Sequence, residues 1–154
     1  MIVIAWRITK RKHAKNAFSG EGARQFGGRW NSAGVAVVYT AGSQSLAALE
    51  MLVHLESSEL LQNYLLLPVQ IEDRLIATLG LEELPKHWRA NPPPPKLREI
   101  GDAWTLSGKS VALRVPSAVV PAEYLYILNP RHPHFSALRI GEPVPFGFDP
   151  RLAR

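Results

Sequence analysis

No cysteine occurs among the 154 residues. Disulfide frames and Cys-based zinc sites are therefore excluded, and a reducing, cytoplasmic setting is expected. Long apolar runs are missing too: no uncharged stretch approaches the roughly 18 residues that a membrane span requires. The N-terminus, Met1 to Arg7, has no basic segment ahead of an apolar run and does not read as a signal peptide. A glycine-rich loop is present, but it lacks the Lys-Ser/Thr pair of a Walker loop and the third glycine of a dinucleotide fingerprint. No RNA-recognition signature, helix-turn-helix pattern or basic-aromatic stripe occurs. Internal repeats are absent, and the one low-complexity stretch is Asn91-Pro92-Pro93-Pro94-Pro95, too short to link domains. The chain reads as a single domain over 1–154, long enough to bury a real core.

The composition, 46% hydrophobic and 20% charged, is that of a globular protein. The formal net charge is +5, with basic residues gathered at Lys10-Arg11-Lys12-His13-Lys15 and again toward the C-terminus. Such a surface attracts phosphate-bearing small molecules, acidic protein partners or nucleic acid. The missing recognition signatures make nucleic acid the weakest of the three.

Strands are expected at Met1–Ile8, Val35–Thr40, Tyr64–Ile71, Ser110–Val115 and Tyr124–Leu128, with an edge strand at Pro143–Phe148. Lys10–Gly28 reads as a loop with one short helical turn, and Leu79–Arg89 as a short helix or turn. Pro95 opens a helix through Leu97, Ile100, Ala103, Trp104 and Leu106, and Gly108 closes it. The Pro116-Ser117 pair interrupts the strand before it. Short, irregular, alternating elements favour an α+β fold over a doubly wound sheet.

The stretch from Gly27 to Glu50 concentrates the chemistry. It reads as a glycine loop carrying Arg29, a strand ending near Tyr39, and a helix over Ser43–Glu56 with Ser43 or Ser45 as N-cap. That helix is apolar nearly all round, so burial on every side is expected. Glu50 lies within about 60° of Leu46, Ala47, Val53 and His54 on the wheel. A carboxylate there needs a partner or a task. Pairing with Arg29 or His54 is the plain alternative to a catalytic role. Arg7 is expected to point inward, because Ile2, Ile4 and Trp6 alternate away from it. His132 and His134 share one spacing, but no third ligand accompanies them, so no metal is expected.

Several separated motifs occur in order: Gly27-Gly28-Arg29-Trp30-Asn31, Val38-Tyr39-Thr40-Ala41, Leu46-Ala47-Ala48-Leu49-Glu50, Gly101-Asp102-Ala103-Trp104, Val115-Pro116-Ser117-Ala118-Val119 and Asn129-Pro130-Arg131-His132-Pro133. Together they resemble the RES domain family, named for an Arg, a Glu and a Ser, whose places are occupied here by Arg29, Glu50 and Ser117. The resemblance covers nearly the whole chain. The chain departs from it at Leu125, where members often carry Asn, and at His134, where members often carry an acid.

The resemblance implies a bacterial toxin of a toxin–antitoxin pair. The implied fold is a split, twisted β core with surrounding helices, similar to ADP-ribosyltransferase toxins. The implied substrate is NAD, cleaved between nicotinamide and ribose with water, phosphate or a protein as acceptor. The implied partner is an Xre-like antitoxin that covers the active site in a hetero-oligomeric complex, with DNA engaged only through that antitoxin and no membrane involved. Arg29, Glu50 and Ser117 are the expected catalytic set, and Arg7, Tyr39 and Asn129 the expected substrate contacts.

Chemistry gives these types their tasks. Nicotinamide leaves from a cation, so no general acid is needed, and a carboxylate at Glu50 stabilises the positive charge that develops on ribose. Arg29 and Arg7 suit the pyrophosphate. Tyr39 suits stacking on the nicotinamide ring, or plain core packing. Ser117 orients Glu50 or a ribose hydroxyl, since no Asp-His pairing marks it as a nucleophile. Asn129 either contacts substrate or holds the turn before Pro130. A catalytically silent interaction protein and a ribonuclease are the competing readings.

Overall fold

The computed structural model describes residues 1–153. Two nine-residue strands, β1 (Ile2–Lys10) and β3 (Tyr64–Glu72), pair antiparallel along their full length, from Ile2 opposite Glu72 to Lys10 opposite Tyr64. A second group forms from β2 (Val38–Ala41), β4 (Ile76–Thr78), β5 (Ala112–Pro116) and β6 (Tyr124–Leu128). Two short edge strands, β7 (Arg139–Ile140) and β8 (Val144–Phe146), both pair with β3. The order is β4-β5-β6-β2-β1-β3-β7, antiparallel except for the β4–β5 pair.

The two groups meet between β1 and β2, where a single residue pair, Trp6 opposite Ala41, is in register. The core is thus split, in an α+β chain. Along β6, Leu125 and Ile127 join one hydrophobic cluster with Leu46, Trp30, Leu97 and Trp104, while Tyr126 and Leu128 join another with Val69, Ile71 and Val111. Alternation along a central strand with apolar residues on both sides produces these two layers.

Among the described residues three α-helices surround the sheet: α1 (Glu21–Phe26), α2 (Gln44–Leu52) and α3 (Pro95–Ser107). The third is as the sequence dictates, with Pro95 in its first turn and Gly108 ending it at φ 62°. No described helix is long and apolar enough to cross a membrane.

Several expectations need correction. Lys10–Gly28 holds two helical pieces, a 3₁₀ segment at Arg11–Asn16 and α1, rather than one turn. The second strand begins at Val38, not Val35, because Val35 is engaged locally: its N–H donates to the Ser32 carbonyl (3.1 Å) and its carbonyl accepts from Asn31 Nδ2 (3.0 Å). Pro116 ends β5 as its last paired residue, opposite Tyr124, rather than interrupting it. Helix α2 is shorter than Ser43–Glu56 and is not buried all round. Leu46 and Ala47 are its buried residues, while Leu49 is 40% and Val53, just past its end, 59% exposed. One face packs on the core, with Ala48, Met51 and Leu52 half-buried against it, and Leu49 and Val53 are left outside that contact.

Candidate active site

Where β1 and β2 diverge, a cavity of about 640 Å³ opens. Its walls come from β1, from the loop and α1 that follow, from the Gly27–Trp30 turn, from β2 and from α2. Arg7, Arg29, Tyr39 and Glu50 all line it.

The Arg29 wall rests on an interlocked turn. Gly27 takes φ 71°, a conformation that disfavours side chains. A Cβ on Gly28 would stand 2.7 Å from the Tyr39 hydroxyl, so glycine lets the two touch. That hydroxyl donates to Asn31 Oδ1 (2.6 Å) and accepts from the Trp30 N–H (3.0 Å). Burial pushes the Tyr39 hydroxyl pKa well up. Asn31 is fully buried, and its amide donates to the Ala23 carbonyl (2.8 Å). Behind the turn stands α3: Gly101 admits the Trp30 carbonyl, and Asp102 Oδ1 accepts from the Ser32 N–H (2.9 Å). The Gly-Gly-Arg-Trp-Asn and Gly-Asp motifs are therefore two halves of one joint.

Arg29 itself donates from Nη1 to the carbonyls of Trp88 (2.7 Å) and Ala90 (3.1 Å). Its Nε and Nη2 make no hydrogen bond among the described residues. Burial pulls its pKa down, and the nearby Glu50 charge opposes that pull. No ion pair joins Arg29 to Glu50 among the described residues, so the plain structural pairing is not what the fold uses. The two charges face one cavity and feel each other across it.

On the opposite wall, Glu50 projects from α2, whose N-cap Ser43 accepts from the Leu46 N–H (3.1 Å). Ser117 Oγ donates to Glu50 Oε1 at 2.7 Å. The serine is fully buried, and its oxygen accepts from the N–H groups of Val119 (3.1 Å) and Val120 (3.0 Å). With two donors aimed at the oxygen, the hydroxyl proton has one direction left, toward the carboxylate. Glu50 Oε2 makes no hydrogen bond among the described residues.

Arg7 points inward, as the alternation of β1 demands. Its Nη1 donates to the Tyr39 carbonyl (3.2 Å), which spans the split between β1 and β2. Burial lowers its pKa. Its Nε, and the indole Nε1 of Trp30, are buried donors without a hydrogen-bond partner among the described residues. Unpaired buried donors are uncommon and call for a cause.

Asn129 lies elsewhere. It is absent from the cavity lining; its Nδ2 donates to the Thr105 carbonyl (3.0 Å) and its Oδ1 accepts from the Arg131 N–H (3.1 Å). The turn-holding role stands, and the substrate contact expected of it has no support in the geometry. Tyr39 lines the cavity, but its hydroxyl is engaged in the Arg29 joint. His132 is also occupied: its Nε2 lies 2.9 Å from the Gly108 carbonyl, and its Nδ1 accepts from the His134 N–H (3.0 Å). No group of three or more metal-ligating side chains is assembled among the described residues.

The sequence reading missed other lining residues, Phe26 at the end of α1, Pro93 in the proline run and Met51 on the Glu50 side, and weighed His54, which also lines the cavity, only as a partner for Glu50. His54 stands four residues from Glu50, a helical spacing that was visible. Phe26 and Pro93 carried no such signal. Leu125, where the chain departs from the family pattern, also lines the cavity.

A family model, the RES domain, matches residues 4–149. The chain is 42% identical over 151 residues to a protein named Toxin Res from Yersinia enterocolitica, covering 97% of this chain and 99% of the relative. It is 36% identical over 154 residues to a protein named Prs ADP-ribosylating toxin from a Sphingobium species, covering 97% and 96%. Among solved structures, the M. tuberculosis MbcT–MbcA toxin–antitoxin complex contains a chain that superposes with a TM-score of 0.79. That match covers 99% of this chain and 87% of that one at 20% identity, a likeness of fold.

Proposed function

From the premise that this chain belongs to the RES domain family, we propose that it is the toxin of a toxin–antitoxin pair and consumes NAD in the cytoplasm by breaking the nicotinamide–ribose bond. One observation carries the reading. A carboxylate with one oxygen fixed by Ser117 and the other uncommitted faces two incompletely used guanidiniums across a single cavity.

In this reading the pyrophosphate lies against Arg29 and Arg7. Arg29 offers Nε and Nη2, and its Nη1 is anchored by backbone carbonyls, so little side-chain freedom is lost on binding. The nicotinamide ribose then lies beside Glu50. As the bond from ribose C1′ to the ring nitrogen breaks, its electron pair neutralises the pyridinium, and positive charge collects on the ribose. Glu50 stabilises that charge. At about 4 Å and an effective dielectric near 20, such an attraction is worth roughly 4 kcal/mol. The acceptor oxygen forms the new bond to C1′, and any proton it carries passes to solvent. Ser117 is a positioning residue: it holds Oε1 so that Oε2 meets the sugar. Tyr39 fixes the Arg29 turn through its hydroxyl and presents its ring to the cavity, beside the nicotinamide.

An Xre-like antitoxin is the expected partner, seated over the cavity mouth. The exposed apolar Leu49 and Val53 on the Glu50 side supply a surface for it. The test is to incubate the purified protein with NAD, with and without phosphate, and to chromatograph the products. Nicotinamide release is the expected result, and the accompanying sugar product identifies the acceptor. Intact NAD alongside degraded RNA would overturn the proposal.

A further inference from the structure

We propose that Phe26 and Pro93 form a base-stacking subsite at the Arg29 end of the cavity, which holds the purine of the dinucleotide away from the reacting centre. The inference rests on the NAD reading above and adds a specificity-determining residue to it.

Phe26 is the last residue of α1. It lines the cavity, yet is 84% exposed. A phenyl ring so placed has no packing role in the fold, since it belongs to none of the hydrophobic clusters. Pro93 lines the same cavity. Arg29 brings the two together. Phe26 precedes Arg29 by three residues, and Pro93 follows Ala90, whose carbonyl accepts from Arg29 Nη1 (3.1 Å), by three more. Three residues span at most about 11 Å. The backbones of both residues are thus held near Arg29, and both side chains line its cavity.

The chemistry of the ligand orders the rest. The bond that breaks must lie at Glu50, and the pyrophosphate at Arg29. What remains of the dinucleotide beyond the pyrophosphate is a ribose that carries a flat aromatic base. Aromatic side chains stack on bases whatever their hydrogen-bonding pattern, and each such contact is worth about 5- to 150-fold in affinity.

The experiment compares NAD with nicotinamide mononucleotide, which lacks the adenylate half, on wild type, Phe26→Ala and Phe26→Trp. Phe26→Ala is expected to raise KM for NAD about tenfold with kcat within twofold, and to leave KM for the mononucleotide unchanged. Phe26→Trp is expected to keep the wild-type KM. An unchanged KM for NAD in Phe26→Ala overturns the subsite. So does an equal rise for both substrates, which would mark a merely structural residue. Binding of ADP-ribose and ribose 5-phosphate separates this from the parent reading. If wild type cleaves no NAD yet binds ADP-ribose about tenfold tighter than ribose 5-phosphate, and Phe26→Ala abolishes that difference, the subsite stands and the reaction falls. Equal binding of the two ligands by wild type overturns the subsite.

Discussion

The wall of the cavity that carries Arg29 and the wall that carries Glu50 are held by different means. Around Arg29, backbone meets backbone: the Trp30 carbonyl enters the space that Gly101 leaves open, Tyr39 and Asn31 tie the turn to itself, and two carbonyls grip the guanidinium. Around Glu50, a half-exposed helix presents one side chain, and one serine hydroxyl sets its direction. The first wall is part of the core, and the second is laid on it. Changes in the backbone joint behind Arg29 should therefore damage the fold, and changes at Glu50 the chemistry.

The largest break is Gly101→Ala. In an exposed helix this exchange stabilises by about 1 kcal/mol. Here the new Cβ would stand 1.7 Å from the Trp30 carbonyl oxygen, against backbone that cannot swing aside. A loss of at least about 3 kcal/mol is expected, read as a large drop in Tm or in soluble yield. A Tm equal to wild type would mean that the joint is loose.

Next comes Glu50→Gln, which keeps the shape and removes the charge. Nicotinamide release should fall on the order of 10²–10³-fold. Thermal melting should shift by no more than about 3 °C, the equivalent of 1 kcal/mol in a chain of this size. Parallel losses in activity and Tm would erase the distinction between the walls.

Tyr39→Phe is smaller and sharpens the comparison. It leaves the Trp30 N–H and Asn31 Oδ1 without their shared partner, at a cost of about 1–3 kcal/mol. It also carries a pH signature. The folded pKa of Tyr39 is raised by burial, so its contribution is whole below about pH 10, where both states hold the proton. Above that pH the unfolded chain ionises first, and stability falls by up to about 1.4 kcal/mol per pH unit until the folded hydroxyl follows. Urea titrations between pH 9 and 11, a range set around the tyrosine value, should show a shallower decline for the variant. Identical slopes would mean that Tyr39 titrates alike in both states. The smallest effect belongs to Val53→Ser, on the exposed side of the Glu50 wall, where stability should stay within about 0.5 kcal/mol by urea denaturation.

Much of this arrangement was legible in the sequence. The presence of strands near β1 and β3, the limits of α3, the inward Arg7 and the Ser43 cap follow from alternation, proline and glycine placement, and local hydrogen-bonding chemistry, whereas which strands pair was not read from the sequence. The contact between Ser117 and Glu50 was among the roles expected of the serine. What stayed hidden has physical causes. Strands β4 and β7 are too short for a period to register. The grip on Arg29 comes from the carbonyls of Trp88 and Ala90, and a carbonyl has no residue identity to read. The exposure of α2 depends on how many layers cover it, which its own sequence does not encode. Asn129 fits a substrate contact and a turn equally well until its neighbours Thr105 and Arg131 are placed.

The central claim is that Arg29 holds the dinucleotide and Glu50 acts on the sugar. Steady-state nicotinamide release by Arg29→Ala and Glu50→Gln, measured side by side against wild type, tests it most directly. Arg29→Ala should raise KM about 10- to 100-fold, as expected on loss of one charge-assisted hydrogen bond, while Glu50→Gln should lower kcat with KM little changed. Wild-type rates in both variants would contradict the account.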